Sequence, residues 1–358
     1  MSASLSLPPA HVSPVSLLIK TQIRTKPRPP PPSTTLTGKT ALITGSSSGL
    51  GRAAGEQLLA LGLSRLIMGI RDGPKGERVA AALRTKFPQA RVDVWTVEQE
   101  SYDSVRAFAA RCADADRLDM VILNAAFATP EWRVTENGHE AMLQVNYLST
   151  ALLAILLLPV LKASSTKHGS GPGRLTIVGS NLSLTEAFPP TDKDPLLPWL
   201  DDPSNAKTWG MVAAQHRQIT AKIFGLMLTQ KLGELVDPDL IIVNTVDPGM
   251  VKGTEVGRRL PLPAKAFVWV IFTLLARPVE HGAWTYLDAV LVQGRESHGG
   301  FVVNWALHPF HKDMYTPEGR ATTERVWHET LRDLARVADV QAALAEVRRE
   351  GGVSVGAV

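Results

Sequence analysis

From Lys39 onward, short β-branched runs alternate with stretches whose apolar residues recur at helical spacing. That switching between a period of two and a period of 3.6 predicts successive strand–helix–strand units and a parallel sheet. Thr40–Thr44 reads as the first strand, followed by a glycine turn and a helix to about Leu61. Residues 66–70 read as the second strand, 76–87 as a helix, 92–97 as the third strand and 101–115 as a helix. Residues 120–123 form a short apolar strand, and 138–161 a long helix whose second half, 151–161, is almost wholly apolar. A helix apolar all round must be buried, here in the core or against a second subunit. Residues 175–178 and 240–246 supply two more strands, with a long helix over 209–235 between them. A helix over 279–292 and a short strand at 301–303 complete the series.

Two inserts interrupt this plan. Residues 184–207 carry five prolines and must loop out, and residues 252–276 mix glycine and proline with an apolar run at 266–276. Both are expected to fold over the cleft and shape a roomy, apolar pocket. A tail over 317–358 looks helical as far as 349, with Val326, Trp327, Leu331 and Leu334 on one face. Residues 1–37 form a leader that is rich in Ser, Thr and Pro. Its first 36 residues contain Lys20, Arg24, Lys26 and Arg28 and no acid. It is expected to be disordered or to target the chain, and its composition leaves organelle import open. The expected fold class is α/β, a Rossmann-type doubly wound parallel sheet in a single domain over residues 38–316.

Composition narrows the classes without naming a function. With 44% hydrophobic and 20% charged residues the body of the chain is that of an ordinary globular protein. A net charge of +4 with no basic stripe does not call for nucleic acid. The single cysteine, Cys112, excludes an internal disulfide and a cysteine-rich metal site, and it reads as a small buried hydrophobe. His308, His311 and Asp313 lie close together on a predicted loop, and three such residues there are too weak a set for a metal; none is assigned. No uninterrupted apolar run approaches the ~18 residues of a spanning helix. The expected location is cytoplasmic. The run at 266–276 stays open as pocket wall, subunit contact or membrane-surface helix.

The first constellation with chemistry is Thr44-Gly45-Ser46-Ser47-Ser48-Gly49-Leu50-Gly51. A glycine turn between a strand and a helix lets backbone amides reach a pyrophosphate, and the helix N-terminus adds its positive end. This TGxxxGxG spacing resembles the opening motif of the short-chain dehydrogenase/reductase superfamily, and further landmarks follow in that family's order. Leu123-Asn124-Ala125-Ala126 is similar to its NNAG segment, with Ala126 in place of glycine. Gln144-Val145-Asn146 matches its helix asparagine, and Ile177-Val178-Gly179-Ser180 its strand ending in the catalytic serine. Asp247-Pro248-Gly249-Met250-Val251 matches the segment that packs by the nicotinamide. Gly294-Arg-Glu-Ser-His-Gly299 resembles a signature of a branch common in fungal secondary metabolism.

The resemblance implies a nicotinamide dinucleotide held by Gly45, Ser47, Ser48, Gly49, Leu50, Gly51, Asn124, Ala126, Pro248, Gly249 and Val251. After the second strand a carboxylate would grip the 2′-hydroxyl of NAD, whereas an arginine accommodates a 2′-phosphate. Here Ile70 is followed by Arg71, which points to NADP(H), with Lys75 as a second phosphate contact and Glu98 toward the adenine. The bland alternative for Arg71 is a surface charge paired with Asp72.

The family places a tyrosine four residues before a lysine on one helix, so that both enter the cleft one turn apart. Lys222 falls at the lysine, where the resemblance implies contact with the cofactor ribose, and the tyrosine position is then Gln218. His216 lies about 200° round the helix from Gln218 and faces elsewhere, whereas Gln215 shares the face of Gln218 and Lys222. Tyr102, Tyr147, Tyr286 and Tyr315 belong to other elements. The resemblance thus implies a site of Asn146, Ser180, Gln218 and Lys222 without its phenol.

Three functions fit these residues. The first is an NADP(H)-dependent oxidoreductase acting on a carbonyl or alcohol of a hydrophobic secondary metabolite. Loss of one general acid costs roughly 10²–10⁴ in rate, which leaves slow or specialised redox chemistry open. The second is an isomerase, dehydratase or cyclase on the same scaffold. The third is a catalytically silent binding protein, which leaves the retained Ser180 and Lys222 unexplained. A small hydrophobic metabolite is the expected partner, and a homodimer stays open.

Overall fold

The computed structural model describes residues 2–252 and 275–349. A short helix α1 (Pro14–Leu18) runs on into a π turn, Ile19–Arg24, before the sheet begins. Then β1 (Thr40–Thr44), α2 (Gly49–Ala60), β2 (Arg65–Ile70), α3 (Gly73–Lys86), β3 (Arg91–Thr96), α4 (Tyr102–Ala113) and β4 (Met120–Leu123) form the first half. The second half opens with α5 (Ala141–Leu143), a π turn over Gln144–Leu148, α6 (Ser149–His168) and β5 (Gly173–Val178). It continues through α7 (Leu196–Asp201), α8 (Met211–Leu235), β6 (Ile241–Asp247), α9 (Val279–Leu287), β7 (Gly300–Val303) and β8 (Ala306–His308). Two tail helices, α10 (Pro317–Leu334) and α11 (Val340–Glu346), follow.

All eight strands lie in one sheet of order β3-β2-β1-β4-β5-β6-β7-β8. Every neighbouring pair is parallel except β7 with β8. The strand order reverses between β1 and β4, and ligands bind such sheets outside the carboxyl ends of the strands at that switch point. Strand alternation sorts the core into two layers. Leu42 of β1 faces the layer built with α4, α6 and α8, while Ala41 and Ile43 face the layer built with α2, α3 and α9. The doubly wound α/β fold is as the alternating pattern predicts.

The apolar run 151–161 lies within α6, and residues Ala141–His168 together are long and apolar enough to cross a bilayer by composition. Of the most apolar window, 94% is buried inside the protein, so this is a core helix. It passes through Pro159 and extends beyond the predicted end at 161. Helix α8 approaches the chain before β7 backbone to backbone: a Cβ on Gly233 would sit 2.2 Å from the Cα of Gly299. Gly299 has φ +65°, which favours glycine, and a Cβ on it would in turn meet the Cα of Gly233 at 2.8 Å. Gly233→Ala should lower the stability by about 1–3 kcal/mol. An unchanged urea midpoint would show that the two chains can part.

Three expectations need correction or completion. The leader is not a disordered segment: Ser4 and Leu17 are buried, and the Ser4 hydroxyl accepts from Phe301 N at 2.8 Å and donates to His308 O. Its side chains find partners on β7 and β8, which no local pattern reveals. The hairpin strand β8 was not predicted, because three residues carry too short an alternation. The insert 184–207 is not all loop. It contains α7, whose first amides, Leu196 N and Leu197 N, are capped by the Glu329 carboxylate of α10 at 2.8 and 2.7 Å. The run at 266–276 falls almost entirely outside the described residues.

Candidate active site

The nucleotide end is built where β1 turns into α2. A Cβ on Gly51 would meet Asn124 Nδ2 at 2.7 Å and Gly45 O at 2.9 Å, so only glycine lets the helix start against the sheet. Gly49 has φ +55° with nothing within 4 Å of a built Cβ, so its glycine answers to backbone conformation in open space. Ser48 is the N-cap of α2 but accepts no bond from it, and the first turn holds no acid. The first amides of α2 are therefore free for an anion. Ser47 and Leu50 are half-buried on this loop, and Leu50 and Val251 both touch the position of Gly282 on α9.

Asn124 is a brace. Its Nδ2 donates to Thr44 O at 2.9 Å, its Oδ1 accepts from Tyr286 OH at 2.9 Å, and its backbone N donates to Thr44 Oγ1 at 3.0 Å. Thr44 and Tyr286 were not singled out as site residues, although Thr44 opens the glycine motif. Tyr286 had no local signal at all. Ala126 is exposed beside them.

At the ends of β2 and β3, Arg71 is exposed and its Nε lies 3.9 Å from Glu98 Oε2. Asp72 is not its partner but the N-cap of α3, accepting from Lys75 N at 2.9 Å. The Lys75 side chain is exposed on the same turn. Arg71, loosely paired with Glu98, and Lys75 thus put two exposed cations at the edge where a ribose phosphate would lie.

The candidate catalytic residues Gln218 and Lys222 lie along one face of α8. Met211, Gln215, Gln218, Lys222 and Gly225, spaced three and four apart, are exposed or half-buried along that face. A small cavity over the sheet is lined by Lys222 and Gly225 together with Asn146, Gly179 and Thr245. Lys222 Nζ donates to Val178 O at 2.6 Å and has no carboxylate partner among the described residues. Burial pulls this ammonium down to about 8. The Gln218 amide is half-buried and makes no hydrogen bond among the described residues.

Asn146 lies in the π turn Gln144–Leu148, and its amide closes on the backbone of one residue: Phe127 N donates to Oδ1 and Nδ2 donates to Phe127 O, both at 2.9 Å. The Ser180 Oγ accepts from Leu182 N at 3.3 Å, which leaves its proton free to donate. The loop that follows is tied to β6, since Asn181 N and Nδ2 donate to the two oxygens of Asp247 at 2.9 and 3.1 Å. Asp247-Pro248-Gly249 thereby lies beside the Ser180 loop.

A profile described as short chain dehydrogenase matches residues 39–188. A short chain dehydrogenase/reductase of Annulohypoxylon moriforme is 44% identical over 334 residues, covering 92% of this chain and 95% of the relative. A short chain dehydrogenase of Hypocrea virens is 46% identical over 311 residues, covering 87% and 89%. This chain belongs to the short-chain dehydrogenase family. Among solved structures, an uncharacterised protein from Mycobacterium paratuberculosis shares the fold at TM-score 0.58 with 19% identity, over 87% of this chain and 98% of that one. The L-sorbose reductase of Gluconobacter frateurii, complexed with NADPH and L-sorbose, does so at TM-score 0.55 with 18% identity, over 76% and 97%.

In this short-chain dehydrogenase the proline-rich insert is bolted to the tail rather than hung free. His139 Nδ1 lies 2.7 Å from Asp201 at the end of α7, and its Nε2 lies 3.1 Å from Asp333 of α10. Burial opposes the charge on His139, but the two aspartates outweigh it and push the imidazole up to about 9. Arg217, the neighbour of Gln218, bonds Glu140 at 3.0 Å and Leu200 O at 2.9 Å. His216 pairs with Glu186 of the insert at 3.0 Å. Both neighbours of Gln218's turn are therefore engaged elsewhere. His311 hydrogen-bonds Glu186 O and Asp313 N, and among the described residues no group of side chains has a metal-binding arrangement.

Proposed function

We propose that this chain is an NADP(H)-dependent oxidoreductase that interconverts a carbonyl and an alcohol on a small apolar metabolite. The observation that carries the reading is the uncapped start of α2 in line with exposed Arg71 and half-buried Lys222 across the carboxyl ends of one sheet. The free amides would hold the pyrophosphate, and Arg71 with Lys75 would hold a 2′-phosphate. Lys222 would hold the nicotinamide-side ribose. When bound, the dinucleotide supplies or takes the hydride, and the chain has to orient the substrate and handle its proton. Ser180 through its hydroxyl and Gln218 through its amide can each donate a hydrogen bond that orients a substrate oxygen without giving up the proton. Gln218 stands where the family resemblance puts a phenol, which makes the site atypical.

The apolar substrate class rests on exposed side chains near the carboxyl edge. Leu182 follows Ser180, Val134 lies in the loop after β4, and Met211 and Val212 open α8. Large exposed hydrophobics gathered near a cleft mark a binding surface. The NADPH of the L-sorbose reductase complex and the NADP of an Agrobacterium tumefaciens 3-oxoacyl reductase support the choice of dinucleotide by analogy.

Calorimetric titration with NADPH tests the reading. Binding is expected, and Arg71→Ala should weaken NADPH by about tenfold or more while changing NADH little, since a charged hydrogen bond contributes about 1.5–3 kcal/mol. No binding at millimolar NADPH would sink the oxidoreductase. Binding without hydride transfer to any carbonyl would favour the non-redox enzyme on this scaffold.

A further inference from the structure

We propose that Lys222 is itself the proton donor of this enzyme, passing Nζ–H directly to the substrate oxygen. The inference rests on the oxidoreductase reading and assigns the acid that Gln218 cannot provide, because a carboxamide does not ionise near neutral pH. The groups around the cleft leave one candidate among the described residues. Tyr147 lines the same cavity, but its hydroxyl bonds Thr330 of α10 at 2.7 Å. Asp247 binds Asn181 and holds the Ser180 loop. His216 is turned to Glu186. Tyr286 is spent on Asn124.

Lys222 differs from all of these. It points into the cavity with Asn146 and Gly179, and its one acceptor among the described residues is the carbonyl of Val178. That contact uses one of three N–H bonds and leaves two for a ligand. No carboxylate of the described residues holds its proton, and burial pulls the ammonium down to about 8, close enough to neutrality to release a proton and regain it.

In the reduction, a hydride adds to the carbonyl carbon and the C=O π pair moves onto oxygen. One N–H bond of Lys222 breaks as the O–H bond forms. The products are the alcohol, the oxidised nicotinamide and a neutral amine, which takes a proton back from water. Because the donor must be protonated, kcat for reduction should fall as pH rises through about 8.

Two measurements test this on the full-length protein. The first needs no turnover: NMR titration of lysine Cε signals, with the Lys222 signal identified as the one missing in Lys222→Arg. A midpoint near 8 is expected, and a midpoint at the ordinary value of about 10.4 overturns the proposal.

The second uses NADPH with phenanthrenequinone, a planar apolar diketone. An arginine keeps the charge but does not release a proton. Lys222→Arg should therefore bind NADPH within a few-fold of native yet lose about 10²-fold or more in kcat. Adding Gln218→Tyr to that variant should recover most of the rate, because a phenol then stands one turn away. An arginine variant as fast as native overturns the donor role alone. Failure of NADPH to bind, or of native protein to reduce the quinone, brings down the oxidoreductase reading as well.

Discussion

Lys222→Met should give a protein that resists denaturation better at pH 7 and binds the dinucleotide worse. The folded-state ammonium is pulled down to about 8 by burial, below its ordinary 10.5. The folded state therefore binds this proton more weakly than the unfolded chain does. Below about pH 8 the charge costs stability in full, and the cost disappears as pH rises toward 10.5. A methionine of similar length removes the charge but leaves Val178 O without its donor, so a net gain of about 1–3 kcal/mol is expected at pH 7. That gain should vanish near pH 10.5, which urea midpoints at the two pH values would read. Dinucleotide affinity should fall by roughly 10- to 100-fold with the charged contact gone. A variant less stable than native at pH 7 would mean that Lys222 is a structural lysine. A buried charge kept against stability is what an active site retains for its chemistry.

The second large effect concerns the brace behind the insert. His139→Ala should cost on the order of 3 kcal/mol at pH 6, because it leaves Asp201 and Asp333 buried without their shared cation. The sign with pH follows from the imidazole's rise from 6.5 to about 9. A raised folded-state value stabilises fully below 6.5, and the contribution is lost as pH climbs through about 9. Native and variant stabilities should therefore converge by about pH 10. Tyr102 OH also donates to Asp333 at 2.9 Å, so that carboxylate keeps one partner in the variant. A pH-independent difference between the two proteins would show that His139 acts by packing alone. The active-site helix should feel this brace, since Arg217 joins α8 to Glu140 and to Leu200 O of α7.

How much of this was legible beforehand depended on the range of the interaction. Gly45, Gly49 and Gly51 could be read because the turn, the strand before it and the helix after it lie within a few residues of one another. Gln218 and Lys222 could be placed on one face because helical spacing is itself a local rule, and both are accessible on that face of α8. Ser180 and Asn181 were harder. The serine was expected by resemblance, but the tie from Asn181 to Asp247 joins strands β5 and β6 across the sheet.

The leader went astray for a related reason. Its composition is that of a solvated segment, yet Ser4 finds acceptors and donors on β7 and β8 about 300 residues away. Arg277 binds Thr21 O of the same segment and Asn304. No window of sequence contains both partners.

By itself the sequence determined the succession of elements: a glycine turn after β1, alternating strands and helices, and a glutamine one turn before a lysine. Those features obey short-range geometry, the periods of strand and helix and the conformational freedom of glycine. Only the tertiary structure decided that the half-buried lysine has no carboxylate partner among the described residues, that Asn124 is held between Thr44 and Tyr286, and that the insert is pinned through His139. Burial and pairing are properties of neighbours in space. Those neighbours are chosen when the two faces of the sheet are covered.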